Sequence, residues 1–496
     1  MEPALSVITD KTLTYQQKVA GLARVGEATV HPLAISKEIQ AYRDAGVICD
    51  LNEGPAPYRP RYVVPDFRKF MAQGSTFLAV PPPKDIWEAT AALLILYRHV
   101  PSITTFPVYL GDIDNLLQPF VSSEAEARKA INLFLLQIDR TINDSFCHAD
   151  IGPEETTAGR LILDMSREQK NAVPNLSLKL DPERTSEDFL LKACETALEV
   201  AKPSFANHPL FSQEFKALGF DDYAIASCYN GLPVGGGSCT LVRMNLARLA
   251  PLARNLDQLL SELLPDAVQK QLEYMDERVR FLVQESNFFE SSFLVEEGLI
   301  HQDRFTGMFG IVGLAELVNH FSAPGRFGHS DAADALGLDI IDRINRLVAN
   351  HHNPLLKAAG GRYLLHAQVG IDSDRGVSPG CRIPIGEEPE LSEHILRSAP
   401  FHRYFPSGIG DVFAFEPTVK NNPAHLADIV RGAMKSGLRY FSAYAADAEV
   451  VRITGYLVKR CEIERLNQGK ASLQDTSALG RNAVNNLGVL DRRLRS

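Results

Sequence analysis

Cysteine is scarce in this chain and nowhere paired in the sequence. Cys49, Cys147, Cys194, Cys228, Cys239, Cys381 and Cys461 are spread over 496 residues with no Cys-x-x-Cys among them. A disulfide framework and a cysteine-rich structural zinc site are therefore not expected. Positive charge is also short, with 51 Lys and Arg against 61 Asp and Glu and a net charge of −10. The basic residues are scattered, whereas a nucleic-acid footprint needs them clustered. No apolar run approaches the roughly 20 residues that span a bilayer. The strongest, Ala91 to Tyr97, is flanked by Glu88 and Arg98. The N-terminal stretch mixes Glu2, Asp10 and Lys11 with short apolar pieces and offers no apolar core of a secretory signal. Internal repeats and low-complexity tracts are missing too. The expectation is a cytoplasmic protein with no membrane and no nucleic-acid partner.

What is present is the balance of a globular chain, 45% hydrophobic and 23% charged, in which helical signals alternate with short β-like runs. Ser186, followed by Glu187, Asp188 and then apolar Phe189, Leu190, Ala193, Ala197 and Leu198, predicts a capped amphipathic helix that stops before Pro203. Leu256 to Val283 predicts a long helix or a pair, with a break at Pro265. Asn422 and Pro423 open a further helix that Gly437 closes, and an extended run from Arg439 to Tyr444 follows. The next segment, Val450 to Val458, has the composition of a strand yet carries Gly455 at its centre. Glycine weakens a strand and marks a bulge or a close backbone approach, so Gly455 requires a reason.

Arg452-Ile-Thr-Gly455-Tyr456, near the C-terminus, resembles the radical-bearing signature Arg-[Val/Ile]-x-Gly-[Tyr/Phe] of the glycyl radical enzymes. Removing a Cα hydrogen leaves a planar carbon radical delocalised into both flanking amides, and glycine alone offers planarity with close approach. In that family the stored radical passes to a cysteine whose thiol gives up its hydrogen atom. The stretch Ala226 to Ala250 resembles the Cys-loop segment of the anaerobic ribonucleotide reductases. It has Cys228 ahead of Gly235-Gly236-Gly237, Cys239 just after, and Asn245-Leu-Ala-Arg-Leu-Ala250 at its end. Thr306 to Glu316 is similar to a glycine-rich helix of that group, with Gly307, Gly310 and Gly313 on one close-packed face. Pro174-Asn-Leu-Ser-Leu-Lys179 is similar to a strand of several members. These segments stand in the family's order, the glycine loop last. The resemblance implies a radical at Gly455 and makes Cys228 the thiyl candidate. Cys239 is the runner-up, because a cysteine at a strand start is most often a small buried hydrophobe.

Departures narrow the reading. Ser227 stands where pyruvate formate-lyase has the first of two adjacent cysteines. Asn230 stands where the dehydratases and choline-type lyases carry a Glu general base. The paired zinc cysteines and nucleotide-sensing domain of the anaerobic ribonucleotide reductases have no counterpart, so no metal is expected in this chain. The pattern as a whole matches best the short YjjI family of glycyl radical enzymes. That resemblance implies an α/β fold, a ten-stranded barrel of two antiparallel five-stranded halves. Residues 1–436 would form the catalytic barrel with the Cys loop, and 437–496 the glycyl radical domain. It also implies a separate S-adenosylmethionine activase with an iron–sulfur cluster, which installs the radical at Gly455, and a homodimer. The reductase-like Cys region points to a small polyol, sugar or nucleoside-like substrate, with Asn230, Glu316 and His148 as candidate contacts. Glu316 reads equally as a helix-surface carboxylate. His148 shares a strand face with Asp150 at i and i+2, too few groups for a metal site. The run Gly235 to Gly237 reads as a flexible loop. The reading from a different class is a radical-free binding or scaffold protein that kept the barrel.

Overall fold

The computed structural model describes residues 3–104, 106–142, 144–368, 370–371 and 374–496. In chain order its strands are β1 (Ile48–Cys49), β2 (Tyr62–Val64), β3 (Tyr109–Asp112), β4 (His148–Ile151), β5 (Asn175–Leu180), β6 (Ser204–Asn207), β7 (Tyr223–Ala226), β8 (Asn230–Pro233), β9 (Gly236–Asn245), β10 (Phe305–Val312), β11 (Leu364–Ala367), β12 (Asp411–Phe415), β13 (Tyr440–Ala445), β14 (Val450–Arg452), β15 (Leu457–Lys459) and β16 (Leu494–Arg495). One sheet runs β1-β9-β10-β11, with β2 also paired to β9, and the other runs β16-β12-β13-β6-β5-β4-β3. Strands β3 to β6 are parallel, and β9 to β11 are parallel. The change of direction falls at β6 and β13, where Phe205 opposes Phe441 in an antiparallel pair. Ser407 N–H donates to Leu365 O and Ala367 N–H to Gly408 O, tying β11 to the segment that enters β12. The α/β class and two-part barrel wall follow the expectation. The hydrogen-bonded grouping is five and seven strands, because short β1 and β2 cover the edge of β9 and the β6–β13 pair carries both directions in one sheet.

Local chemistry explains most elements. The helix Glu187–Val200 starts where Ser186 Oγ accepts the Phe189 N–H at 3.1 Å. Pro265 does not break the stretch after Leu256. A π-helical turn, Leu259–Leu263, runs directly into the helix Leu264–Gln284, and this widened turn just before Pro265 takes up the irregularity without ending the helical run. Residues 305–312 are strand β10, and the helix Leu314–Phe321 begins only after Gly313. The expected helical glycine face is thus a strand, and its glycines admit neighbouring strands and side chains. A Cβ on Gly307 would lie 2.4 Å from Tyr363 Cδ1, and one on Gly310 2.9 Å from Arg243 Cβ. Gly236 and Gly237 are no flexible loop either. They start β9 opposite Val64 and Val63, where a Cβ on Gly237 would meet Tyr62 O at 2.1 Å. Among the described residues no helix is long and apolar enough to cross a membrane.

The period-two pattern of the larger sheet decides what its inner face can hold. On β5, Leu176, Leu178 and Leu180 join the apolar core. The alternate residues Asn175, Ser177 and Lys179 are polar, and so are His148 and Asp150 on β4 and Ser442 on β13, all of them buried. An alternating strand ordinarily turns its polar side to water. Here that side faces the interior, where an unmet polar group costs about 1–3 kcal/mol. Two hairpins entering the barrel, β7–β8 and β14–β15, supply the partners.

Candidate active site

Ser227, Cys228 and Tyr229 form the tip of the β7–β8 hairpin, in which Ala226 opposes Asn230. Ser227 takes φ 61°, and the Cys228 N–H turns back to Ala226 O at 2.7 Å. Every second residue of the entering arm is bound from outside. Lys179 Nζ donates to Tyr223 O at 2.7 Å, Ile225 N–H donates to Asp150 Oδ2 at 2.8 Å, and Ser227 N–H donates to Val108 O at 3.1 Å. Burial works against the Lys179 charge, but Asp112, Asp150 and Asp222 together outweigh it and hold the amine above its ordinary pKa. The outer edge of the arm, which no ladder reaches, is thus pinned by Asp150 of β4, Lys179 of β5 and the Val108 carbonyl.

His148 completes the anchoring. Its Nε2 lies 2.7 Å from Ser177 Oγ, which lies 2.8 Å from the Tyr440 hydroxyl, and its Nδ1 lies 3.4 Å from Ser227 O. Burial, with Arg452 nearby, lowers the ring to about 3, so it is neutral. A neutral ring has one donor, and this network assigns it to Nδ1 facing the Ser227 carbonyl. Because the unfolded ring titrates near 6.5, the unfolded chain binds more protons between about pH 3 and 6.5, and stability falls as pH drops through that window. One such histidine contributes up to about 1.4 kcal/mol per pH unit. His148→Gln is expected to flatten the fall of the urea midpoint from pH 6.5 to 4.5 by one proton's share. An unaltered slope would mean that the ring is protonated in the fold.

The glycine lies in residues 453–456, the connection of the β14–β15 hairpin, where Ile453 N–H donates to Tyr456 O at 2.9 Å. Arg452 is fully buried and donates to Ala201 O at 2.8 Å and to Asn175 Oδ1 at 3.0 Å. Asn175 Nδ2 in turn donates to Gly455 O at 2.9 Å. Arg492 donates to the carbonyls of Arg452 and Ile453. Ser145 Oγ bonds both polar groups of the Leu457 backbone. Burial lowers Arg452 to about 10, which leaves it charged at neutral pH. The connection is therefore short but fastened at Arg452, Ile453, Gly455 and Leu457.

The two hairpins meet at their tips. A Cβ built on Gly455 would lie 2.2 Å from both Cβ and Sγ of Cys228 and 3.2 Å from its Cα. One Cα hydrogen of Gly455 is thus aimed at the cysteine side chain, and it is contact that forbids a larger residue. Burial pushes the Cys228 thiol up to about 12 against the opposing pull of Ser227, Arg382, Arg452 and Arg61. At neutral pH it is S–H, the form that holds a transferable hydrogen atom. Cys239 is on β9, and the charges acting on it are those of Arg278 and Glu53. Asn230 is buried at the base of the Cys turn, with Nδ2 donating to Ala226 O at 2.8 Å and Oδ1 without a partner. Glu316 Oε1 accepts from the Ser378 N–H and hydroxyl at 3.0 and 2.6 Å, and burial raises its pKa. The fold brings Asn230 and His148 to the Cys hairpin and leaves Glu316 bonded to Ser378. Ser145 and Arg492 were not singled out in the sequence, and Asn175 stood there only within the segment Pro174 to Lys179. Asn175 had a signal, as the first polar residue of an alternating strand that proves buried on both faces.

The family described as YjjI-like glycyl radical enzymes matches residues 13–495. An uncharacterized protein of Haemophilus influenzae is 43% identical over 505 aligned positions, which take in 100% of this chain and 98% of that one. The uncharacterized protein YjjI of Escherichia coli is 41% identical, over 99% of this chain and 95% of that one. Among solved structures, hydroxyproline dehydratase from Clostridioides difficile superposes with a TM-score of 0.71 at 13% identity, covering 100% of this chain and 88% of that one. The anaerobic ribonucleotide reductase from Thermotoga maritima does so with 0.67 at 12% identity, covering 87% and 86%. These distant likenesses carry the α/β barrel fold alone. With the full-length match and two relatives above 40% identity, they lead to one assignment: the chain belongs to the YjjI-like family of glycyl radical enzymes.

Proposed function

We propose that Gly455 stores the radical and that Cys228 relays it to a small substrate. The observation that carries this reading is the 2.2 Å between a Cβ on Gly455 and the Cys228 Sγ. Activation removes one hydrogen atom from Gly455 Cα, and a separate S-adenosylmethionine and iron–sulfur activase takes it. The Gly455 radical then takes the hydrogen atom of the Cys228 thiol, which restores the Gly455 C–H and leaves a sulfur radical. That sulfur takes a hydrogen atom from a substrate C–H bond, and after rearrangement returns it to the product radical. Each step breaks one X–H bond and forms another, with no net charge moved. The barrel wall keeps water and oxygen from both radicals. Residues 437–496 carry the glycine and 1–436 the thiol.

The substrate is a polyol, sugar or nucleoside-like molecule with a C–H bond beside a hydroxyl. Asn230 Oδ1, buried and without a partner, is available to accept from that hydroxyl but cannot take its proton. Solved relatives in fold include a glycerol dehydratase from Clostridium butyricum with glycerol bound, at a TM-score of 0.65. The test is anaerobic co-expression with a neighbouring radical S-adenosylmethionine activase, then electron paramagnetic resonance, exposure to air and intact mass. A glycyl doublet and an oxygen-cleaved fragment ending near Gly455 are expected. No radical and no cleavage, with an activase proven on another protein, would overturn the reading in favour of a scaffold.

A further inference from the structure

Around the Cys228 hairpin stand buried cationic groups that the radical relay does not use. Arg382 is 9% exposed, and its Cζ lies 5.6 Å from the ring centre of Tyr229, the residue after the thiol. Its Nε donates to Gly410 O at 2.8 Å, and among the described residues its two terminal amino groups make no hydrogen bond. The Asp411 carboxylate, 4.0 Å from Nε, is already taken by His394, Ser398 and the Val412 N–H. Arg61 donates from Nη1 to Leu51 O at 3.2 Å, and its Nε is buried with no partner. Glu53, 3.7 Å from Arg61, is held by Arg278, Thr240 and the Leu241 N–H. The third guanidinium acting on the thiol, Arg452, spends Nε and Nη2 on Ala201 and Asn175 and keeps only Nη1 free.

A guanidinium taken out of water needs acceptors, and the interior offers Arg382 one carbonyl. Its planar fork matches two oxygens of a carboxylate or phosphate. At the base of the same hairpin, Asn230 Oδ1 offers an acceptor and no charge. We infer that the molecule presented to Cys228 carries an oxyanion head, carboxylate or phosphate, held by Arg382, and a hydroxyl directed to Asn230. The inference rests on Cys228 being the group that meets substrate, and it narrows the substrate from a neutral polyol to a hydroxy acid or a phosphorylated polyol. An anion there also cancels part of the positive field on the buried thiol and so helps to keep it as S–H.

D-glycerate, glycerol 3-phosphate and glycerol share a three-carbon skeleton and differ in head group. Calorimetric titration of the unactivated full chain with each separates the cases. One or both anions are expected to bind, with glycerol at least about tenfold weaker. Arg382→Gln should weaken the anion by about ten- to hundredfold, the worth of a hydrogen bond to a charged group. Arg382→Lys, which keeps the charge and loses the fork, should fall between and serves in its place if the Gln variant does not fold. Binding of glycerate alone names a carboxylate, and of glycerol 3-phosphate alone a phosphate. Flat titrations with both anions, or equal binding to wild type and both Arg382 variants, overturn the inference. The wild-type glycyl doublet is scored separately, so loss of the radical with anion binding intact would strike the relay and not the anion site.

Discussion

Cys228→Ala is expected to keep the glycyl doublet and to lose substrate consumption by at least about a thousandfold, the scale on which removal of a reacting group acts. Radical installation concerns the Gly455 Cα–H bond, which the substitution leaves in place, and alanine is smaller than cysteine, so the tip of the hairpin still fits. What disappears is the S–H bond beside that carbon. Alanine offers a C–H bond of ordinary strength, which a delocalised glycyl radical does not break. Cys239→Ala is the matched control: an equally buried thiol on β9, pushed up to about 12 as Cys228 is, but acted on by Arg278 and Glu53. It should retain both doublet and consumption. The two variants are compared on any compound that the activated wild-type protein consumes, with product followed by mass spectrometry. Consumption by the Cys228 variant at the wild-type rate would remove Cys228 from the relay. Because burial holds its thiol near 12, the pH profile of the wild type should carry no limb from Cys228 between about pH 6 and 9.

The two positions proposed to react could be picked out in the chain because each breaks a local rule. Gly455 interrupts a run of strand formers, and Cys228 precedes a glycine run in a chain with little cysteine. Their meeting could not be read, since it depends on two hairpins 227 residues apart in the numbering of their tips, one pinned by Lys179, Asp150 and His148, the other by Asn175 and Arg492. Spacing misled where glycine served contact and not conformation. Gly307, Gly310 and Gly313 fit one helix face, yet β10 needs the first two so that Tyr363 and Arg243 can approach. Pro265 looked like a break because a proline inside a helix removes a hydrogen bond and crowds the preceding turn, and the π-helical turn Leu259–Leu263 just before it absorbs that disturbance. The alternation in Asn175 to Leu180 was visible, but a period of two does not say whether the polar side meets water or a buried partner. Arg61 and Arg382 gave no signal at all, for nothing in the sequence brings residues 61, 228 and 382 together.

Gly455→Ala should abolish the doublet and the oxygen-dependent cleavage, and it should also cost stability of about 1–3 kcal/mol, the range for forcing extra atoms into a packed interior. The two losses have different origins. Carbon atoms in contact prefer roughly 3.5–4.0 Å, and the alanine methyl would stand 2.2 Å from Cys228 Cβ and Sγ. One hairpin must retreat, and both are fastened: the glycine side by Asn175, Arg492 and Ser145, the cysteine side by Lys179, Asp150 and the Val108 carbonyl. The methyl would in addition hinder the planar radical carbon, so even a relaxed loop would not hold the unpaired electron as glycine does. Pairing the change with Cys228→Gly separates these causes, because that substitution removes the two atoms at 2.2 Å. The double variant should recover most of the lost stability in urea unfolding and still give no doublet. If Gly455→Ala alone were as stable as wild type, the packing of the hairpin tips against each other would be wrong. A doublet in that variant would instead place the radical at another glycine.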